Sequence, residues 1–334
     1  MKIAVLGAGT WGAALASLLK RNGHDVCLWS ALSVEIDSLK TSGEHKNLPG
    51  AKMPEGIIYE TDIEAAVHDA DTALFVVASE YLRSTVKLAA PYLKAGAILA
   101  TATKGIEKGT LFTMSEIIED EISNLRAEKF DTVALSGPTH AEEVAKNLPT
   151  SIVSASKNES VARAIAEAVS CDYMRAYTNT DIQGVEISGA FKNIIALAAG
   201  ITRGMGFGDN ALAMLMTRGI AEITRIGLAM DCRRRTFMGL AGIGDLIVTC
   251  TSRHSRNNRC GELIGRGFSY EEASREIGMV VEGYHALEAG IALAKKYEVE
   301  MPITEAVYDV IMRGVSPKEA MKRLMSRDLK SELG

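Results

Sequence analysis

The segment Lys2-Ile3-Ala4-Val5-Leu6-Gly7-Ala8-Gly9-Thr10-Trp11-Gly12 decides the fold. Lys2–Leu6 is a short apolar run that stops at a glycine, and Gly7–Gly12 fits the spacing G-x-G-x-x-G. The Ala- and Leu-rich stretch Trp11–Leu19 predicts a helix, and Val26-Cys27-Leu28-Trp29 predicts a second strand. A strand, a glycine turn, a helix and a strand in this order open a doubly wound βαβ sheet. In that setting Gly7 permits the sharp turn, Gly9 lets a pyrophosphate reach the backbone, and Gly12 lets helix and strand pack closely. The helix N-terminus offers its N–H groups and positive dipole end to the phosphates. A tight turn alone would also explain the glycines, but their place inside a complete βαβ unit favours a dinucleotide site, with Thr10 and Trp11 beside the cofactor.

Working outward, buried strands are expected at 73–77, 97–100, 133–135 and 151–153, alternating with helices near 62–69, 81–93, 111–126 and 158–170. Past about residue 180 strand-like runs cease. Val185–Arg203, Asn210–Met230 and Tyr284–Lys296 read as long helices. The expected architecture is α/β: a Rossmann-like, doubly wound, mostly parallel sheet over residues 1–180, then an all-helical domain over 181–334 that a helix enters directly. A ligand is expected in a cleft between the two.

Of the 334 residues, 47% are hydrophobic and 24% charged, the mix of an ordinary globular protein. A net charge of −5 argues against a general nucleic-acid binder, and Arg233-Arg234-Arg235 reads as a solvated turn. Met1 leads straight into the first strand without the basic and apolar regions of a secretory leader. No apolar run reaches the roughly 18 residues of a membrane span, so a cytoplasmic location is expected. The five cysteines form no CxxC pair and their number is odd, which favours reduced thiols. No His, Asp and Glu cluster has ligand spacing, so no metal is expected.

The end of the second strand distinguishes NAD from NADP through an acid for the ribose 2′-hydroxyl or a base for a 2′-phosphate. Here Trp29 is followed by Ser30 and Ala31, with Glu35 and Asp37 further on and no arginine. Both cofactors are therefore expected to be accepted. NADP is favoured, because the Ser30 hydroxyl can donate to a 2′-phosphate without repelling a 2′-hydroxyl.

Further along, Ala102-Thr103-Lys104-Gly105, Ser136-Gly137-Pro138-Thr139-His140-Ala141, Gly189-Ala190-Phe191-Lys192-Asn193, Gly242-Ile243-Gly244-Asp245-Leu246, Ser255-Arg256-Asn257 and Val280-Val281-Glu282-Gly283 occur in one order. With the glycine fingerprint, this series resembles the bacterial-type NAD(P)-dependent glycerol-3-phosphate dehydrogenases over nearly the whole chain. The resemblance implies an oxidoreductase that interconverts dihydroxyacetone phosphate and sn-glycerol 3-phosphate, supplies phospholipid synthesis and forms a homodimer.

The resemblance also implies residue roles. Lys192 is the acid that protonates the carbonyl oxygen, as the chemistry of carbonyl reduction requires. Its apolar neighbours Ala190, Phe191, Ile194 and Ile195 set it apart from a surface lysine. Lys104, Gly137, Thr139 and Asp245 meet substrate, and Lys104 and Ala141 also meet cofactor. Asp245 would offset the charges of the two lysines, although capping a helix is an equally ordinary duty for it. Ser255, Arg256 and Asn257 hold the phosphate, Arg256 contacting the cofactor as well, while Val280 and Glu282 touch the cofactor. His140 is expected to be structural. The rival readings are a β-hydroxyacid or 2-ketoacid reductase of the same architecture and a nucleotide-sensing protein without turnover. Fold cannot separate these, so the site must.

Overall fold

Leu6 lies opposite Trp29 where β1 (Lys2–Leu6) and β2 (Asp25–Trp29) run parallel, so both strands end beside the glycine turn. The computed structural model describes residues 1–329, 331 and 332. Six further strands complete one sheet: β3 (Ile58–Glu60), β4 (Thr72–Phe75), β5 (Ile98–Thr101), β6 (Thr132–Ser136), β7 (Thr150–Ala155) and β8 (Met174–Asn179). Their order is β3-β2-β1-β4-β5-β6-β7-β8, and only the β6–β7 pairing is antiparallel. A five-residue helix, Ala141–Ala145, joins that pair, in place of the longer helix that a parallel crossover uses. The strand order reverses at β1 and β4, the place where doubly wound sheets bind ligands beyond their carboxyl ends.

Both sheet faces are covered, which is why the strands read as near-continuous apolar runs. Ile3, Val5, Leu28 and Leu74 pack with Leu15, Leu18 and Leu19 of helix Thr10–Arg21 on one face. Ala4, Leu6, Phe75 and Leu99 pack with Leu82, Val86, Met114 and Ile118 on the other. Two strands escaped the sequence reading, β3 and β8, both edge strands with few buried side chains, β3 being only three residues long. The helix expected from 111 starts at Met114: Leu111 sits at φ +63°, and Thr113 and Glu116 form a capping box.

The chain divides into two compact units. The first contains Met1–Gly189 and Cys232–Asp245; the second contains Ala190–Asp231 and the described residues from Leu246 onward. The boundary expected near 180 thus falls between Gly189 and Ala190, inside helix Ile182–Gly204. Residues 232–245, expected in the helical domain, belong to the first unit instead. The cause is packing: Leu240 and Ala241 join Ala134, Val153 and Ala155 of the sheet, and Arg233 N and Thr236 Oγ1 donate to Asp181 Oδ2.

In the second unit the described elements are helical. The part of Ile182–Gly204 from Ala190 onward lies against helix Arg256–Gly265 with almost no side chain between them. A Cβ on Gly200 would stand 2.0 Å from Asn258 O, and one on Gly261 would stand 2.2 Å from Leu197 O. The buried carboxylate of Glu222 accepts from Ile303 N, Thr304 N and Thr304 Oγ1, anchoring the start of helix Pro302–Arg313. Helix Ile182–Gly204 has the length and hydropathy of a membrane span, 1.3 over its most apolar window, although charged residues interrupt it. That window is buried inside the protein.

Candidate active site

The glycine turn has the form its spacing predicts. Gly7 sits at φ +126°, where a side chain would be strained and its Cβ would meet Val76 O at 2.7 Å. A Cβ on Gly12 would overlap Gly7 O. Gly9 differs: no protein atom lies within 4 Å of where its Cβ would be. Internal packing therefore does not require glycine there, whereas close approach of a pyrophosphate does. Gly9 is also the N-cap of helix Thr10–Arg21 and has no side chain to satisfy the first amides, which leaves them for an anion. The residues thus fit a dinucleotide. At the end of β2, the Ser30 hydroxyl donates to Glu35 Oε2 at 2.6 Å, so it is already engaged.

A second group gathers at the ends of β5 and β6. Lys104 follows β5 and donates through Nζ to Asp245 Oδ2 at 2.6 Å and to Gly137 O at 3.2 Å. The pair is sheltered, with side chains 19% and 2% exposed for Lys104 and Asp245. Asp245 is brought there by one turn of π-helix, Leu240–Gly244, that runs directly into helix Asp245–Thr251. Gly137 has φ +148° just past β6, and a Cβ would press on Ser151 O. Thr139 Oγ1 donates to Gly137 O, and buried Ala141 opens the short helix behind half-buried His140. Asp245 is thus an ion-pair partner for Lys104.

The third group lies in the second unit. Lys192 is 7% exposed, and its Nζ donates to Thr249 Oγ1 at 2.7 Å. The next residue, Asn193, accepts through Oδ1 from Asn257 Nδ2 at 3.0 Å, and Asn257 Oδ1 accepts from Gly283 N at 2.9 Å. Asn257 therefore ties the Lys192 helix to the start of helix Glu282–Lys296, which Val280 precedes and Glu282 begins. Ser255 caps helix Arg256–Gly265 by accepting from Asn258 N. Half-buried Arg256 is its first residue, beside a positive helix end. Asn258 donates to Cys250 O and accepts from Arg203, which fixes this N-terminus to the Lys192 helix.

The sequence-predicted residues fall into three local groups: the fingerprint with Ser30, then Lys104 with Gly137, Thr139 and Asp245, then Lys192 with Asn257 and the Arg256 helix. Two partners were missed. Thr249 is one helical turn beyond Asp245, a spacing that could have drawn attention to it. Asn193 follows Lys192 within the Gly189–Asn193 motif but shows its role only through Asn257.

Comparison with known proteins gives the family of the chain. Residues 2–162 match the family described as NAD-dependent glycerol-3-phosphate dehydrogenase N-terminus, and residues 181–322 match the corresponding C-terminus. A Lactobacillus delbrueckii subsp. bulgaricus protein named glycerol-3-phosphate dehydrogenase [NAD(P)+] 2 is 51% identical over 99% of each chain. An Enterococcus faecalis glycerol-3-phosphate dehydrogenase [NAD(P)+] is 48% identical over 99% of this chain and 97% of its own. The crystal structure of a Coxiella burnetii glycerol-3-phosphate dehydrogenase superposes with a TM-score of 0.93 at 36% identity, covering 98% of this chain and 99% of the other. A Ralstonia eutropha ketopantoate reductase shares the fold alone, at 17% identity and a TM-score of 0.59. The chain belongs to the family of NAD(P)-dependent glycerol-3-phosphate dehydrogenases.

Proposed function

We propose that Lys192 is the proton donor when this oxidoreductase reduces dihydroxyacetone phosphate, and the base when it oxidises sn-glycerol 3-phosphate. Bound NAD(P)H supplies the hydride to the carbonyl carbon. The carbonyl π pair then takes a proton from Lys192 Nζ, leaving a neutral amine and an alcohol. The observation that carries this reading is the burial of Lys192 with its Nζ aimed by the Thr249 hydroxyl. Burial excludes competing water, and a fixed bond limits the directions in which the ammonium can donate.

Lys104, held by Asp245, and the backbone and hydroxyl of Gly137 and Thr139 are the substrate contacts of the first unit in this reading. Ser255, Arg256 and Asn257 receive the phosphate: a capped helix N-terminus presents amides, and the guanidinium adds a planar fork. Gly7, Gly9, Thr10, Trp11, Gly12, Ala141, Val280 and Glu282 complete the cofactor contacts, to which Lys104 and Arg256 also belong. We further propose a cytoplasmic homodimer that provides glycerol 3-phosphate for phospholipid synthesis. Burial of the most apolar helix inside the protein supports a non-membrane location.

A steady-state assay following NAD(P)H oxidation tests the reading. Dihydroxyacetone phosphate should be reduced, while unphosphorylated 2-keto and 3-keto acids should be poor substrates. Efficient turnover of the acids with none of the phosphate ester would transfer the site to the hydroxyacid reductases.

A further inference from the structure

The loop after β2 is closed on itself in a way the fingerprint does not require. Ser30 Oγ donates to Glu35 Oε2 at 2.6 Å and accepts from Leu32 N at 3.1 Å, while Glu35 N donates to Leu32 O at 3.0 Å. Ser30 is buried, so it forms a fixed post to which the half-buried Glu35 carboxylate is tied. Gly7 N donates to Trp29 O at 2.9 Å, which brings this strand end beside the glycine turn. From the other side, Asn47 Nδ2 donates to Thr10 Oγ1 and Asn47 N donates to His45 Nδ1, so residues 45–47 reach back to the first helix.

The local charge is negative. Residues 29–39 contain Glu35 and Asp37 and no lysine or arginine. Burial pushes the His45 imidazole below its ordinary range despite the opposing pull of Glu35, which disfavours the cation that would offset the carboxylate. Lys46 is exposed, where water screens its charge.

A carboxylate can only accept hydrogen bonds. The 2′-hydroxyl of an adenosine ribose can donate one to it, whereas a 2′-phosphate offers acceptor oxygens and a like charge. We propose that Glu35, held in place by Ser30, selects NAD(H) over NADP(H) by accepting from the ribose 2′-hydroxyl and repelling a 2′-phosphate. This inference rests on the glycine fingerprint holding the dinucleotide. It reverses the preference expected from a Ser30 hydroxyl free to donate to phosphate.

The test is a binding titration of NADH and NADPH, without substrate, against the full-length wild type, Glu35→Gln and Ser30→Ala. Wild type should bind NADH at least about tenfold more tightly than NADPH. Glu35→Gln should tighten NADPH about tenfold by removing the repulsion, and loosen NADH a few-fold. Ser30→Ala should move the ratio the same way by less. Equal or tighter binding of NADPH by wild type, or an unchanged ratio in Glu35→Gln, would overturn the proposal. An unchanged ratio in Ser30→Ala would overturn the holding role of Ser30. Binding of neither cofactor would remove the dinucleotide site itself and the proposal with it. Because substrate is absent, failure of the Lys192 chemistry would not imitate any of these results.

Discussion

Lys192 Nζ donates to the hydroxyl of Thr249 at 2.7 Å, and both residues are buried. This bond spans 57 positions of sequence and orients the one group to which the proton transfer is assigned. Lys192→Ala should lower kcat by about 10² to 10⁴, the usual range for a positioned acid, with the affinity for NAD(P)H close to normal. Lys192→Arg should not restore turnover, because a guanidinium keeps its proton. Thr249→Val, which keeps the shape and removes the acceptor, should lower kcat by about tenfold. Steady-state kinetics on purified variants decide the matter. Near-normal turnover in Lys192→Ala would shift the assignment to Lys104.

Arg256 should act on the phosphate alone among the parts of the substrate. A charge-assisted hydrogen bond to phosphate contributes roughly 1.5–3 kcal/mol. Arg256→Ala should therefore lower kcat/KM for dihydroxyacetone phosphate about tenfold or more, while any residual activity on dihydroxyacetone changes little. Equal losses on both substrates would make Arg256 a structural residue.

Gly189 packs against Ser136 beside Lys104. A Cβ at this position would stand 3.1 Å from Ser136 Oγ, which must give by a few tenths of an ångström, and 3.5 Å from Lys104 Cγ, an ordinary contact that leaves the lysine in place. Gly189→Ala also gains helix propensity of roughly 1 kcal/mol, which offsets mild overpacking of similar size. The thermal midpoint and KM for the phosphorylated substrate should therefore both hardly change. A several-fold rise in KM would show that the methyl group displaces Lys104 from Asp245.

Glu186 makes stability depend on pH. Burial pushes its carboxyl up to about 7, although Ser115 Oγ and Ser115 N donate to it at 2.5 Å and 2.7 Å and pull the other way. The folded state thus keeps a proton that the unfolded state releases near its ordinary carboxylate value. Stability should accordingly fall as pH rises from about 4.5 to about 7, by up to roughly 3 kcal/mol. Glu186→Gln, neutral throughout, should lack this decline. Its thermal midpoint should gain on that of wild type as pH increases, and a constant difference from pH 5 to 8 would show that Glu186 stays ionised.

The glycine fingerprint, most of the strand–helix alternation up to about residue 155 and the long helices beyond 180 were legible in the sequence. Each depends on local rules: the two-residue period of strands, the 3.6-residue period of helices, and positions where only glycine fits. The resemblance supplied the site residues as an ordered series, and the structure shows what holds them. Lys104 and Asp245 are 141 positions apart, so no local pattern could announce their ion pair. The same holds for Asn257, whose two hydrogen bonds join helices separated in sequence.

What the sequence by itself determined is the sheet-forming first part, its glycine turn, and the kinds of side chain available for catalysis. Only the tertiary structure decided that residues 232–245 return to the first unit, that β7 runs against β6, and that Thr249 receives the Lys192 ammonium. It also decided that the Ser30 hydroxyl serves Glu35. The physical reason is that propensity and periodicity act over a few residues, whereas partners for buried polar groups are chosen by packing. A buried ammonium or carboxylate must find a hydrogen bond wherever the folded chain brings one within reach.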